Sequence, residues 1–250
     1  MFINEINIIY YIVVGILGII AGQCIDWCNI RLPEYEKVIS KEFFTKYLKS
    51  TKPKYLLWLI MAIIYMTLLA TIGWGNSILS KLELIKYMLL SPMLISAFMI
   101  DWKLQIIPNR LNLTMFEIGL VITVIQGIFN INIAINMLLG SLVGAGIFLL
   151  ITIIGGAIAG KEAMGFGDVK LIGALGLFFG WTNMIIISLI SFLLGAIISI
   201  ILIVTKIRKT DEYIPFGPFI VISAFIVMIV PSAMLIYVLL KIFTLGMYKG

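Results

Sequence analysis

Two aspartates are the residues of this chain that are best suited to chemistry. Of the four Asp in the sequence, Asp101 and Asp168 lie at the ends of long apolar stretches. A carboxylate is costly there and normally faces a partner or a water-filled cavity, so its position suggests a function. Two carboxyl groups held close together do not both ionise easily and share a proton. The ionised group can then take a proton from water while the protonated group polarises a carbonyl, which is the chemistry of peptide hydrolysis.

Other catalytic and metal-binding chemistries are excluded by residue type. The chain has no histidine, which removes His-based zinc sites and nucleophiles that depend on a His base. The two cysteines, Cys24 and Cys28, are four residues apart and therefore share one face of a helix. They supply at most half of a four-Cys zinc site, and we expect them to pack as small apolar side chains. We therefore predict no metal site.

The composition predicts the elements that must position the aspartates. The chain is 62% hydrophobic and only 12% charged, too little polar surface for a soluble globule of 250 residues. We predict an all-α polytopic membrane protein, with residues 1–250 forming a single transmembrane helical domain. Three apolar runs are too long for one span of ~20 residues. They cover residues 55–100, 111–154 and 169–205, and contain central breaks at 73–77, 130–132 and 180–183.

Each interrupted run predicts a helical hairpin. With a first span over residues 8–25 and a last span over 219–240, the chain has about eight transmembrane helices. Residues 169–180 are too short for a full span, because 12 residues reach only about 18 Å at 1.5 Å per residue and the hydrocarbon core is ~30 Å thick. They form either a partial span or a span that continues through the turn.

The distribution of basic residues predicts the orientation. Of the 18 Lys and Arg, 14 lie in four loops that would then be cytoplasmic, and the other four are Lys81, Lys86, Lys241 and Lys249. Both termini are therefore expected outside, and the net charge of +6 is explained by topology without a nucleic acid partner. Residues 26–54 form a cytoplasmic loop that contains an amphipathic helix on the membrane surface, with Val38, Tyr47 and Leu48 among its lipid-facing side chains. Asp101 and Asp168 come to one depth, at the cytoplasmic edge.

Two motifs surround the aspartates. The first, residues 101–109, reads DWKLQIIPN, and Pro108 ends the segment that Asp101 opens. The second, residues 160–171, reads GKEAMGFGDVKL, and Gly165 and Gly167 allow the chain to leave helix geometry and a substrate strand to approach. Lys103 and Lys170 lie two residues after the aspartates and are candidates for holding the local potential. These five residues complete the predicted site.

These motifs resemble the two catalytic motifs of the type IV prepilin peptidases, the second of which carries the GxGD signature. Residues 22–33 and 214–219 resemble two further segments of the same family, and the four matches follow the family order over most of the chain. The resemblance implies a membrane-embedded aspartic peptidase in which Asp101 and Asp168 are catalytic. Its substrates would be prepilins and pseudopilins, which are cut on the cytoplasmic side of their first hydrophobic helix. They lose a short basic leader, typically after a Gly, at the cytoplasmic face of the cell membrane.

The resemblance also raises the matter of a cofactor. The peptidase reaction needs none, but bacterial members often methylate the new N-terminus with S-adenosylmethionine. Many of them carry four cysteines in the first cytoplasmic loop, whereas residues 26–54 contain only Cys28, so the zinc-binding insert is absent. This departure leaves methylation open. A second departure is Asp26, which stands where the family usually has an amide.

Three alternatives remain open on sequence alone. The first is an ion-coupled transporter or channel, since intramembrane carboxylates also serve as ion sites. The second is a non-catalytic subunit of a secretion machine. The third is purely structural, with Asp101 and Asp168 reaching water at the membrane edge beside Lys103 and Lys170.

Overall fold

The computed structural model describes residues 2–3, 6–34, 36, 38, 40–47, 53–160, 164–206 and 214–244. The fold is all-α, as predicted, and a short antiparallel pair of two-residue strands, β1 (Phe2–Ile3) and β2 (Ile6–Asn7), precedes the first helix. The helices are α1 (Ile8–Arg31), a π-helix (Phe43–Tyr47), α2 (Tyr55–Ile72), α3 (Ile78–Leu104), α4 (Asn109–Phe129), α5 (Ile131–Ala159), α6 (Phe166–Val204), α7 (Gly217–Ile229) and α8 (Ser232–Phe243). Six of them, α1 to α6, are long and apolar enough to cross a membrane. The chain is therefore a multi-pass membrane protein.

The three predicted breaks are present. Helix α2 ends before the 73–77 break, α4 and α5 are separated at Asn130, and α6 leaves helical geometry at Gly180, with φ 73° and ψ 170°. Both halves of α6 pack on α5. A β-carbon at Gly144 of α5 would lie 3.1 Å from Ile172, before Gly180, and 3.0 Å from Met184, after it. The polar and glycine interruptions mark the places where the apolar runs turn.

The short first half of α6 lies at the centre of the bundle. It runs for 14 residues before Gly180, which is about 21 Å at 1.5 Å per residue. Every residue from 171 to 180 is buried, and α6 contacts α4, α5 and α7. Of the two alternatives for residues 169–180, the structure favours a partial span that is enclosed by other helices.

The predicted last span, residues 219–240, is not one continuous helix. Helix α7 ends at Ile229 and α8 begins at Ser232, with Val230 extended at φ −100° and ψ 130°. Pro231 explains the break, because it lacks an amide hydrogen and pushes the preceding residue out of helical geometry. The total of eight spans and the placement of the termini stay predictions.

The charged residues used for the topology are only partly described. Lys86, which was counted among the outside residues, is 3% exposed within α3. Seven others lie outside the described residues: Lys37, Lys49, Lys52, Lys161, Arg208, Lys209 and Lys249.

Helix α3, which carries Asp101, contains a proline in its interior. Pro92 has no amide hydrogen, so the carbonyl of Met88, four residues earlier, lacks its helical partner. The hydroxyl of Tyr65 on α2 donates to this carbonyl oxygen at 2.7 Å. A side chain of the neighbouring helix therefore satisfies the backbone of α3 at the proline.

The segment after α1 is attached to that helix by polar and aromatic contacts. The hydroxyl of Tyr47 lies 3.0 Å from Asp26 Oδ2, and Lys54 Nζ lies 3.4 Å from Asp26 Oδ1. Tyr47 is 5% exposed, so the prediction that it faces lipid is wrong; Leu48 lies outside the described residues. Burial, and after it the hydrogen bond to Asp26, raises the pKa of the Tyr47 phenol, which therefore stays protonated as a donor. Asp26 therefore binds Tyr47 and Lys54 and helps to hold the segment after α1 against that helix.

Candidate active site

Asp101 is placed by the C-terminal end of α3. It lies in the last turn of the helix and is 3% exposed. The helix ends at Gln105, whose left-handed backbone at φ 56° lets its amide donate to the Asp101 carbonyl oxygen at 2.9 Å. Pro108 then precedes α4, and its carbonyl accepts the amide of Leu111 at 3.0 Å. A short connection therefore joins the Asp101 turn to the start of α4.

Asp168 is placed by the N-terminal end of α6. It is also 3% exposed and lies in the first helical turn, where the backbone dipole favours a negative side chain. Gly165 precedes the helix in an extended conformation, and its carbonyl accepts the Asp168 amide at 3.0 Å. A β-carbon at Gly167 would lie 3.3 Å from the β-carbon of Ile107, so the segments that follow Asp101 and precede Asp168 approach closely here.

The two carboxyl groups open on one cavity of about 320 Å³. Further lining residues are Gln105, Ile106, Ile107, Asn109, Gly165, Phe166, Gly167 and Lys170. The structure therefore brings together the two aspartates and three of the other predicted site residues. A space of this size admits a water molecule and a peptide carbonyl beside the two carboxyl groups.

The two predicted lysines differ in position. Lys170 lines the cavity, and its ammonium donates to Asn109 Oδ1 at 2.8 Å and lies 5.2 Å from the ring centre of Phe166. Lys103 is exposed on the last turn of α3 and does not line the cavity. In the part of the chain that the structure describes, neither lysine forms an ion pair with Asp101 or Asp168. The structural alternative that paired the aspartates with these lysines therefore finds no support.

Gly217 is a site residue that was not among the predicted site residues, although it lies in the segment 214–219 that resembles the family. Its amide donates a buried hydrogen bond to Asp101 Oδ2 at 2.9 Å. It is the first residue of α7, so this amide has no partner within the helix, and the helix end favours negative charge on the oxygen. The Gly217-Pro218 pair is a recognisable helix start, but nothing local links it to a residue 116 positions earlier.

Asn112 is the second such residue. It is 4% exposed on α4, and its Nδ2 donates to the carbonyl oxygen of Gly167 at 3.1 Å. Its Oδ1 has no hydrogen-bond partner among the described residues. Asn112 therefore connects α4 to the residue that directly precedes Asp168. An asparagine near a helix start is usually interpreted as a local cap, so the sequence gives no signal for this contact.

The described residues contain no group of three or more His, Cys, Asp or Glu that could hold a metal ion. Cys24 and Cys28 are free thiols that line an apolar groove between α1, α3 and α4, together with Pro92 and Met93. The two carboxyl groups are thus the reactive groups that the site presents.

Comparison with known proteins places the site within a recognised sequence family. Residues 88–200 match the type IV leader peptidase family, and this stretch includes both aspartates. A relative from Aeromonas salmonicida is 31% identical over 171 residues, 68% of this chain and 54% of that protein. A relative from Legionella pneumophila is 35% identical over 135 residues, 54% of this chain and 46% of that protein. A third, from Aeromonas hydrophila, is 30% identical over 157 residues, 63% of this chain and 50% of that protein.

These three relatives are named prepilin leader peptidase/N-methyltransferase. The chain spans about half the length of the curated relatives it matches. No solved structure matches the chain.

Proposed function

Because the chain belongs to the type IV leader peptidase family, we propose that it is a membrane-embedded aspartic endopeptidase that removes the leader of prepilins or pseudopilins. The observation that carries this proposal is the shared cavity of Asp101 and Asp168. Both carboxyl groups are buried, Asp101 at the C-terminal end of α3 and Asp168 at the N-terminal end of α6. A pair of carboxyl groups beside a peptide-sized space supports hydrolysis by an activated water.

The reaction needs one proton shared between the two aspartates. The ionised carboxylate takes a proton from a water molecule, and the resulting hydroxide attacks the scissile carbonyl, whose oxygen is protonated by the other carboxyl group. The tetrahedral intermediate then collapses as a carboxyl group protonates the leaving nitrogen. The Gly217 amide fixes one oxygen of Asp101 and stabilises negative charge on it. Because the pair titrates as a unit, neither aspartate has a fixed role.

The substrate reaches the cavity as an extended strand. Gly165 and Gly167 line the cavity without side chains, so the main chain of a substrate can approach Asp168 closely. Lys170 is held by Asn109 at the cavity wall and supplies the positive charge there, whereas Lys103 is exposed on the last turn of α3 and does not line the cavity. In the proposed orientation the cavity lies at the cytoplasmic face of the inner membrane, where a short basic leader would be cut off.

A methyltransferase activity is the second function to which the names of the relatives point. S-adenosylmethionine would need a polar pocket of its own next to the new N-terminus. The groove that adjoins the catalytic cavity and the groove beside Cys24 and Cys28 are both lined mainly by apolar side chains. These residues do not fit the cofactor, so we derive no methyl-transfer step for this chain.

Ion-coupled transport, the alternative from sequence, gains no support from the comparisons, since the matching relatives carry peptidase names. The position of the two aspartates at one end of their helices also differs from the midplane ion sites of secondary transporters.

The experiment that tests the peptidase is cleavage of a prepilin in membranes by the wild type, by Asp101→Asn and by Asp168→Asn at matched expression. Each variant keeps the size of the side chain and removes the shared proton chemistry. We expect the wild type to remove the leader and each variant to leave it intact, a loss of at least about 10³-fold. Cleavage by both variants at the wild-type rate would show that the aspartates are structural.

A further inference from the structure

A second, mainly apolar groove adjoins the catalytic cavity. It has a volume of about 470 Å³ and lies between α4, α5 and the first half of α6. It shares Asn109 and Lys170 with the catalytic cavity, so the two spaces adjoin at this hydrogen-bonded pair. From Asn109 it follows α4 to Phe116, which is seven residues or about 10 Å at 1.5 Å per residue. That length accommodates about two turns of a helix.

The walls of the groove suit a helix. Small residues on α5 and α6 form its floor: Ser141, Ala145, Gly173 and Ala174. Small side chains let two helix backbones approach closely in a membrane. The opposite wall consists of Leu113 and Phe116, which are 56% and 40% exposed although they belong to the bundle. A helix lying here would cover both side chains.

We propose that this groove binds the start of the hydrophobic helix of the substrate, directly after the scissile bond. The inference rests on the proposed peptidase function, in which a peptide bond next to such a helix must reach Asp101 and Asp168. This groove is selected because it shares Asn109 and Lys170 with the catalytic cavity. The other apolar groove, beside Cys24 and Cys28, lies on the opposite side of α4 and shares no lining residue with the catalytic cavity.

Asn112 gives the groove a physical connection to catalysis. It lines the groove and donates to the carbonyl of Gly167, which lines the catalytic cavity. A helix that packs in the groove therefore also packs against the residue that positions the chain before Asp168. Asn112 acts here as a positioning residue.

Photo-crosslinking tests which groove the substrate occupies. p-Benzoylphenylalanine is introduced in place of Phe116, and, as a matched control, in place of Thr114. The two positions are two residues apart on α4, about 200° around the helix, and Thr114 lines the other groove. A prepilin is added in membranes and irradiated, and its cleavage by the unsubstituted protein is measured in parallel. We expect capture from position 116 and not from position 114.

The outcomes separate this inference from the proposed function. Cleavage with capture from position 114 alone, or from neither position, overturns the groove and keeps the peptidase. Capture from position 116 without cleavage overturns the peptidase and keeps the groove. If there is neither cleavage nor capture, both proposals fall.

Kinetics give a second readout that does not depend on the crosslinker. Phe116→Ala shortens the groove wall, and we expect it to raise the apparent KM for a prepilin about tenfold while kcat stays within about twofold. The control is Val121→Ala, an exposed position of α4 that does not line the groove. Equal KM values for the two variants would contradict docking at this site.

Discussion

The amide of Gly217 donates a 2.9 Å hydrogen bond to Oδ2 of Asp101, and this bond links two segments that are 116 residues apart. A β-carbon at Gly217 would lie 2.5 Å from the same oxygen. Only a residue without a side chain lets the first amide of α7 reach the carboxyl group. The start of α7 is therefore part of the candidate active site, although no residue of α7 lines the catalytic cavity.

Gly217→Ala should reduce cleavage strongly. The added methyl group has to displace the Asp101 carboxyl group, and a displacement of about 1 Å at a catalytic group costs on the order of 10²-fold in rate. The measurement is kcat for a prepilin in membranes. The control is Gly146→Ala on α5, where a β-carbon meets no atom within 4 Å. If both variants cleave at the wild-type rate, the contact with Gly217 has no catalytic importance.

Much of the architecture could be predicted because polar residues are rare in this chain. Asn130 and Gly180 stand out from apolar runs, and both mark real breaks. Asp101 and Asp168 stand out for the same reason, and the charge distribution placed them at one depth, where the structure shows a shared cavity. In each case a single polar or flexible residue has a large free-energy consequence in an apolar environment.

The remaining features depend on contacts that local composition does not encode. The apolar run through Pro231 predicted one helix, because hydrophobicity alone does not detect the missing amide that separates α7 from α8. Gly217 and Asn112 contribute a backbone amide and a side-chain amide to partners on other helices. Their roles follow from the packing of the helices, which is determined by many weak contacts together.

Gly180 should tolerate no side chain. Its backbone, at φ 73° and ψ 170°, lies in a region that is essentially restricted to glycine, and a β-carbon would lie 2.7 Å from the side chain of Asn136. We expect Gly180→Asn to destabilise the protein by about 1–3 kcal/mol or more, measured as a lower thermal unfolding temperature in detergent.

The matched control for this variant is Gly160→Asn. Gly160 also has a positive φ, 65° with ψ 10°, but this is the left-handed helical region that asparagine adopts readily, and a β-carbon there meets no atom within 4 Å. A similar loss of stability in the two variants would mean that the strain at Gly180 is not specific to its backbone region.

The hydroxyl of Tyr65 should stabilise the fold only because Pro92 is present. Tyr65→Phe leaves the carbonyl of Met88 buried without a donor, which costs about 1–3 kcal/mol. Pro92→Ala restores an amide hydrogen to α3, so the same Tyr65→Phe change should then cost less. The measurement is a double-mutant cycle of unfolding free energies. Additive effects of the two changes would show that the hydroxyl does not compensate for the proline.

Asn112 should affect catalysis more than stability. Asn112→Leu keeps the approximate volume of the side chain and removes the donor to Gly167, which is adjacent to Asp168. The control is Thr123→Val, which removes a hydrogen bond from α4 to the carbonyl of Leu177 on α6, at 3.3 Å and further along the same pair of helices. Each change removes one neutral hydrogen bond from α4 to a backbone carbonyl of α6, and Thr123→Val also removes a weak contact with Met137 Sδ at 3.5 Å, so we expect stability losses of about 1 kcal/mol in both. Cleavage should fall about tenfold in Asn112→Leu alone, because only this variant releases the segment that carries Asp168.

If cleavage is unchanged in both variants, or reduced equally in both, Asn112 holds the helices together and does not position the segment that carries Asp168.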